Sequence, residues 1–180
     1  MLAIQRVNAA AFAQEAAHIL EEAWPPPALH YTREYLRWQM TFPSDVDAIG
    51  VAAMDGREPV GFIGASPRRM RSGGESFTCF IVSFVAVRPK WRNRRVASAL
   101  YAALLHEIRA ARIATITFAL PQSTGERLLL REYANGGFAI IPLGAYHTYA
   151  YRARGEDNSQ YDVFTSEDPR LLCEAIAYCS

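Results

Sequence analysis

FVAVRPKWRNRRVASAL, residues 84–100, is the stretch on which the reading of this chain turns. An apolar run rich in β-branched and aromatic residues ends at Val87. A short polar loop follows, and apolar residues at helical spacing resume at Val96. A buried strand is therefore expected to stop just before a helix begins. The start of a helix leaves backbone N–H groups without acceptors and carries partial positive charge. Five basic residues stand in the eight positions from Arg88 to Arg95: Arg88, Lys90, Arg92, Arg94 and Arg95. Together these features suit a pyrophosphate and a further phosphate. Ala97, Ser98 and Ala99 are small enough for such a ligand to approach the backbone. The charge run alone has other readings: a solvated loop, a contact for nucleic-acid phosphates, or a site for a free nucleotide.

Upstream of this junction, Ala3 to Val7 reads as a short strand, and Asn8 as a cap for the helix after it. Phe12, Ala16, Ile19, Leu20 and Ala23 recur at helical spacing, and Pro25, Pro26 and Pro27 stop the pattern. A second helix is expected from Thr32 to Met40. Tyr31, Tyr35 and Trp38 are assigned to the core, with a pocket wall as the alternative. AIGVAAM and PVGFIGA, separated by Asp55-Gly56, predict a hairpin. SPRRMRSGG reads as a solvated basic turn, and Phe77 to Val87 as a central strand.

Downstream, Val96, Leu100, Leu104, Ile108 and Ala111 share a helix face. Ile113 to Leu120 reads as a buried strand, Gly125 to Asn135 as a helix, and Phe138 to Ile141 and Ala145 to Ala153 as strands. The strand ending at Val87 and the one starting at Ile113 form a parallel crossover around the helix between them. In the tail, Thr165 or Ser166 would cap a helix with Pro169 near its start. We divide the chain into residues 1–155 and a C-terminal tail, 156–180, which opens a second domain or packs back on the first.

Composition removes several function classes. Half the residues (51%) are hydrophobic and 21% charged, as in an ordinary globular domain. A net charge of +1 gives no broad positive face for nucleic acid. The three cysteines, Cys79, Cys173 and Cys179, form no CxxC pair, so a reducing compartment is expected. The apolar N-terminus is interrupted by Gln5, Arg6, Asn8, Gln14 and Glu15, which argues against a signal peptide or membrane span and for a cytoplasmic location. His18, His30, His106 and His147 have no ligand spacing, so no metal is expected.

The pattern Val87-x-Pro89-x-x-Arg92-x-x-x-Val96-Ala97-x-x-Leu100 resembles the coenzyme A loop of the GNAT superfamily of N-acyltransferases. The order of elements is similar along nearly the whole chain, and the motifs from about Gly61 to Phe138. The resemblance implies a single mixed α/β domain: a mostly antiparallel twisted sheet with helices on both faces and a splayed parallel pair at its centre. It implies acetyl-CoA or another acyl-CoA as co-substrate and an amine, small molecule or peptide, as acceptor, with a homodimer left open. In that family a backbone N–H on the splayed strand polarises the thioester, which by position is that of Val85. Coenzyme A contacts would fall on Val85, Val87, Arg92, Asn93, Arg94, Arg95, Val96, Ala97 and Ser98. A tyrosine four residues before the glycine of a Gly-Phe pair protonates the leaving thiolate. Tyr133, before Gly137-Phe138, takes that role.

Two departures from the pattern matter. Arg95 stands where the family places glycine, and the segment IVSFVAV, residues 81–87, lacks a glutamate base. An arginine at that glycine position is also found in protein N-myristoyltransferases, whose loop Arg92-Asn-Arg-Arg95-Val96-Ala97-Ser98 resembles. Tyr31-Thr-x-Glu-Tyr-Leu-x-Trp38 and Val60-Gly61-Phe62-Ile63 are similar to those enzymes too. The expectation is acyl transfer to an amine, acetyl first. Long-chain acyl transfer and a non-catalytic acyl-CoA-binding module are the alternatives.

Overall fold

The computed structural model describes residues 2–24, 31–41, 44–72 and 74–142, together with the backbone of two further short strands. By contact the chain divides into Met1–Ile140 and Ile141–Ser180. In the first unit, β1 (Leu2–Val7), β2 (Ile49–Asp55), β3 (Glu58–Ser72), β4 (Glu75–Val87) and β5 (Ala114–Thr117) form one sheet in sequence order. All neighbours are antiparallel except β4 and β5, which are parallel. The second unit contains β6 (Thr148–Ala150) paired antiparallel with β7 (Val163–Thr165). Thr165 thus lies in a strand rather than at a helix start, and the helix expected after it lies outside the described residues.

Helices cover both faces of the five-stranded sheet. α1 (Ala13–Ala23) and α2 (Arg33–Met40) press Ile19, Leu20 and Leu36 against Phe62, Phe84 and Ala86. α3 (Val96–Ala111) and α4 (Thr124–Asn135) bury Leu100, Leu104, Ile108 and Leu129 with Ile63, Phe80 and Val82. Gly61 lets α3 sit close: a Cβ there would lie 3.1 Å from Leu100 Cδ1 and 3.2 Å from the Ala86 carbonyl oxygen.

Caps follow the sequence closely. The Thr32 hydroxyl accepts from Tyr35 N–H, and Ser123 Oγ from Glu126 N–H. Asn8 Oδ1 accepts from Ala11 N–H, so it caps the turn ahead of α1 rather than the helix itself. The Asp55-Gly56 hairpin forms, with Gly56 at φ 60°.

Several expectations are corrected. The basic segment from Ser66 to Ser72 is no turn: β3 continues through it, paired with β4 out to Ser72↔Glu75. The downstream strand is shorter than Ile113 to Leu120. It ends at Thr117, and Phe118 and Leu120 are exposed because the strand beside them has diverged. The parallel pair lies at an edge of the sheet, not at its centre. Phe138 to Ile141 is irregular. Gly137 takes φ 69°, Phe138 N–H donates to Tyr133 O at 3.0 Å, and the two rings meet edge-on at 5.5 Å. Phe138 is thereby consumed in closing the end of α4, the αL cap a glycine at that position favours. Of Ala145 to Ala153, the residues Thr148–Ala150 are strand; the others lie outside the described residues.

Candidate active site

The site begins with a fault in β4. Ser83 pairs with Gly64 and Ala86 with Phe62, so Phe84 and Val85 together oppose Ile63. Phe84 takes up the extra residue with φ 61°, the left-handed region that bulky side chains avoid. The bulge inverts the side-chain alternation. Before it, Phe80 and Val82 face α3; after it, Phe84 and Ala86 face α1 and α2. Val85 and Val87 are consequently turned onto the α3 side, where they pack at the margin of that core. A one-residue insertion moving every later side chain to the other face is what a period of two requires.

The same strand also loses a neighbour here. β5 stays in register with β4 from Cys79↔Ala114 to Val82↔Thr117 and then ends. Val85 has no registered partner on either side. A cleft of about 360 Å³ opens at this place. Its walls are Val85, Ala86 and Val87 of β4, Arg92 and Ala97 of the junction, Thr124, Gly125 and Leu128 of α4, and Ala23 and Trp24 at the end of α1. A larger open cleft, about 710 Å³, lies by Asn8, Met40, Ser44 and Asp47 and contains none of the junction residues.

The junction itself is a 3-10 turn, Pro89–Trp91, then a loop into α3. The first backbone bond of α3 runs from Ala99 N–H to Arg95 O, so the amides of Val96, Ala97 and Ser98 have no acceptor within the helix. No side chain caps this end. Asn93 and Arg95 both have positive φ, 60° and 59°. Arg95 therefore adopts the conformation a glycine would at that position, at a cost of about 1–2 kcal/mol, and its side chain is exposed.

The junction arginines divide into two sets. Arg88 pairs with Glu22 at 2.7 Å and Glu58 at 3.6 Å. Arg92 donates to the Ala23 carbonyl at 2.5 Å. Both fasten the end of α1 to the junction, so the Arg92 guanidinium is committed to the protein although its residue lines the cleft. Arg94 stacks over Trp91 at 5.0 Å, and Arg94 and Arg95 are exposed. Ser98 Oγ accepts from Arg131 Nη2 at 2.9 Å, leaving its amide as the group it offers at the helix start. Arg131 also pairs with the nearly buried Glu132 at 2.7 Å. Its role at the first turn of α3 had no sequence signal, because α4 residues carry no motif that places them there. Thr124 and Gly125 were missed for the same reason, and Trp24 because nothing at the end of the α1 pattern points to the junction.

Tyr133 is not among the residues lining the cleft. Its hydroxyl is buried, and no described residue reaches it with hydrogen-bond geometry. Burial pushes its pKa up, opposed in part by the nearby Thr115 and Thr117 hydroxyls. Thr117 is the last residue in register before the two strands diverge, so the phenol sits near the base of the fork. The Tyr133-to-Gly137 spacing also serves the helix cap described above. Tyr35 and Trp38 are not core, as the sequence suggested, but 41% and 57% exposed.

Comparison with known proteins agrees with this geometry. Residues 13–128 match the acetyltransferase (GNAT) family. No curated protein matches the sequence. Among solved structures, the fold is similar to AAC(6')-Iy in complex with a bisubstrate analogue, CoA-S-monomethyl-acetylneamine (TM-score 0.58, 19% identity, 86% of this chain and 99% of that one). It is similar to a ribosomal-protein-alanine N-acetyltransferase from Brucella melitensis (TM-score 0.54, 18% identity, 86% and 99%). It also resembles a probable N-acyltransferase from Enterococcus faecalis (TM-score 0.57, 13% identity), covering 74% of this chain but only 32% of that one. At these identities the likeness shows the fold alone, while the family match spans both the bulged strand and the junction. The chain belongs to the acetyltransferase (GNAT) family, whose members transfer an acyl group from acyl-coenzyme A to an amine.

Proposed function

We propose that the cleft beside Val85 holds the thioester arm of acetyl-CoA and that acyl transfer to an amine takes place at the fork between β4 and β5. The observation that carries this reading is the bulge at Phe84. It leaves Val85 without a strand partner directly beside the uncapped start of α3. We assign the Val85 N–H to the thioester carbonyl, a bond that strengthens as charge grows on that oxygen. Such donors are worth about 10²–10³ in turnover. The amides of Val96, Ala97 and Ser98 take the pyrophosphate, with Arg94 and Arg95 alongside. Arg92 acts through the clamp on Ala23. Val87 lines the pantetheine path, and Asn93 supplies the left-handed turn.

The amine lone pair attacks the carbonyl carbon, the C–N bond forms, and the C–S bond breaks. Tyr133 gives its phenolic proton to the departing thiolate. A tyrosine is protonated at neutral pH, the state an acid requires, and burial moves its pKa further upward. No carboxylate lies on Ile81 to Val87, so the amine attacks as the free base, and the proton its nitrogen sheds on acylation passes through solvent and restores the Tyr133 phenol. We place the reaction in the cytoplasm. Supporting this are the free, buried Cys79 and the lack, among the described residues, of any helix long and apolar enough to cross a membrane.

Tyr133→Phe tests the assignment. It should lower turnover by about 10² while leaving thermal stabilisation by acetyl-CoA unchanged. It should change stability little, because no described residue makes a hydrogen bond of good geometry to the hydroxyl it removes. Full turnover in this variant would remove Tyr133 from the mechanism.

A further inference from the structure

We infer that the acceptor carries its amino group on a flat aromatic group, bound along a row of rings on the α1/α2 side of the sheet. The inference rests on the acyl-transfer reading above.

The bulge separates two faces at a single peptide. Val85 turns towards the cleft, and Phe84, one residue earlier, turns to the opposite face. There the Phe84 ring meets Tyr31 at 5.7 Å and Tyr35 at 6.5 Å, both edge-on. The rings continue outward: Tyr31 meets Tyr35 at 5.9 Å, and Tyr35 meets Trp38 at 6.0 Å. They also continue inward. Trp24, which lines the acyl-CoA cleft, meets Tyr31 at 5.8 Å. A continuous path of aromatic surface therefore runs from the cleft to solvent. With coenzyme A on the α3/α4 side, this is the face left for the nucleophile.

Exposure marks the row as a binding surface. Trp24, Tyr35 and Trp38 are 37%, 41% and 57% exposed, although Leu36 and Met40 already anchor α2 to the sheet. Single exposed rings are ordinary, but rings in series that lead into a cleft are not. Rings tilted against one another in this way offer both edges and faces to an aromatic ligand.

Charge narrows the ligand further. The Arg68 guanidinium stands beside the row, hydrogen-bonded to the Gln39 backbone and side chain, while Gln39 Nε2 donates to Tyr35 Oη at 3.0 Å. These bonds tie Arg68, Gln39 and Tyr35 together at the outer end of the row. The adjoining β4 residues offer no carboxylate to take a proton from an ammonium. An amine on an aromatic group brings apolar area for the rings and a single nitrogen for the thioester. Where the nitrogen is bonded directly to the ring, it also arrives uncharged at neutral pH.

The experiment uses the full chain with acetyl-CoA. Thermal stabilisation by acetyl-CoA is measured first, then thiol release with anisidine, phenethylamine and spermidine. The aromatic amines should react at least about tenfold faster than spermidine. Trp38→Ala should raise the KM of the better aromatic amine about tenfold, with the effect in KM rather than kcat. Trp38→Phe should restore it, and stabilisation by acetyl-CoA should be unaffected in both variants. Equal rates with spermidine, an unchanged KM in Trp38→Ala, or binding of acetyl-CoA without thiol release from any of the three would overturn the inference and leave coenzyme A binding standing. No stabilisation by acetyl-CoA would overturn the acyl-transfer reading, and this inference with it.

Discussion

The two halves of β4 are made of the same kinds of residue and behave differently. From Cys79 to Val82 the strand is in register with β3 on one edge and β5 on the other, and Phe80 and Val82 are buried under α3. From Ser83 to Val87 only β3 remains, two residues fall out of its register, and the alternation of faces inverts. The closed half resembles any buried strand, with its hydrogen bonds used within the sheet. The open half forgoes bonds along one edge, which costs free energy wherever the groups stay unpaired and dry. A ligand that supplies the acceptor recovers that energy. The contrast is why the proposed site is placed in the part of the strand that is worse as a strand.

The sharpest way to break the comparison is to exchange residues at matched sites in the two halves. Phe84→Ala should cost about 3–5 kcal/mol, since a buried ring is lost. Phe84→Gly loses the same ring but relieves about 1–2 kcal/mol of left-handed strain, against about 0.5–1 kcal/mol of added backbone freedom in the unfolded chain. The glycine variant should therefore be the more stable of the two. At Val82, inside the closed half, the order should reverse, because glycine there only weakens a strand. Urea unfolding of the four variants decides it. The same order at both positions would mean that the bulge stores no strain.

How much of this contrast could be read beforehand depends on the residue. The closed half was legible because β-branched and aromatic residues in a long apolar run leave little choice. The helix after it was legible from Val96, Leu100, Leu104 and Ile108 on one face, and the junction from its basic residues between two apolar elements. The bulge was not legible. FVAV has no glycine or proline to mark it, and Phe84 holds a conformation that propensity argues against. The exposed rings of α2 were misassigned for a related reason: aromatic residues at helical spacing are usually core, and only the position of Leu36 and Met40 shows which face the sheet takes. Ser66 to Ser72 misled through its charge, because pairing with β4 outweighs the polarity of Arg68, Arg69 and Arg71.

A second test probes the packing under the closed half by titration. Tyr101 and Tyr133 belong to the core that covers it. Burial, with a smaller contribution from neighbouring Tyr133, pushes the Tyr101 hydroxyl up to about 12 from its ordinary value near 10.0. Tyr133 is raised too, again chiefly by burial. The unfolded chain releases these protons near pH 10, whereas the folded chain retains them to higher pH. Stability should thus be complete below about pH 10 and fall as pH rises towards about 12, by on the order of 2–3 kcal/mol for Tyr101 alone. Tyr101→Phe should flatten the alkaline limb of the melting-temperature profile. An unchanged slope would show that the closed half admits water.

The smallest effect is expected in the loop that serves the open half, and its two signs should oppose each other. Arg95 is exposed, caps nothing with its side chain, and holds φ 59°. Arg95→Gly removes about 1–2 kcal/mol of strain and adds about 0.5–1 kcal/mol of unfolded-state freedom, for a net gain on the order of 0.5–1 kcal/mol. The same change withdraws a cation from the start of α3, where the pyrophosphate is proposed to sit. Stabilisation by acetyl-CoA should then shrink, and more so at low salt, since an exposed charge acts through a screened field. A variant that melts higher without ligand yet gains less from acetyl-CoA would show that this arginine is kept for its charge despite its backbone. If the ligand-free melting temperature falls instead, the left-handed turn is held by the arginine side chain, and the loop is better ordered with it than a glycine loop would be.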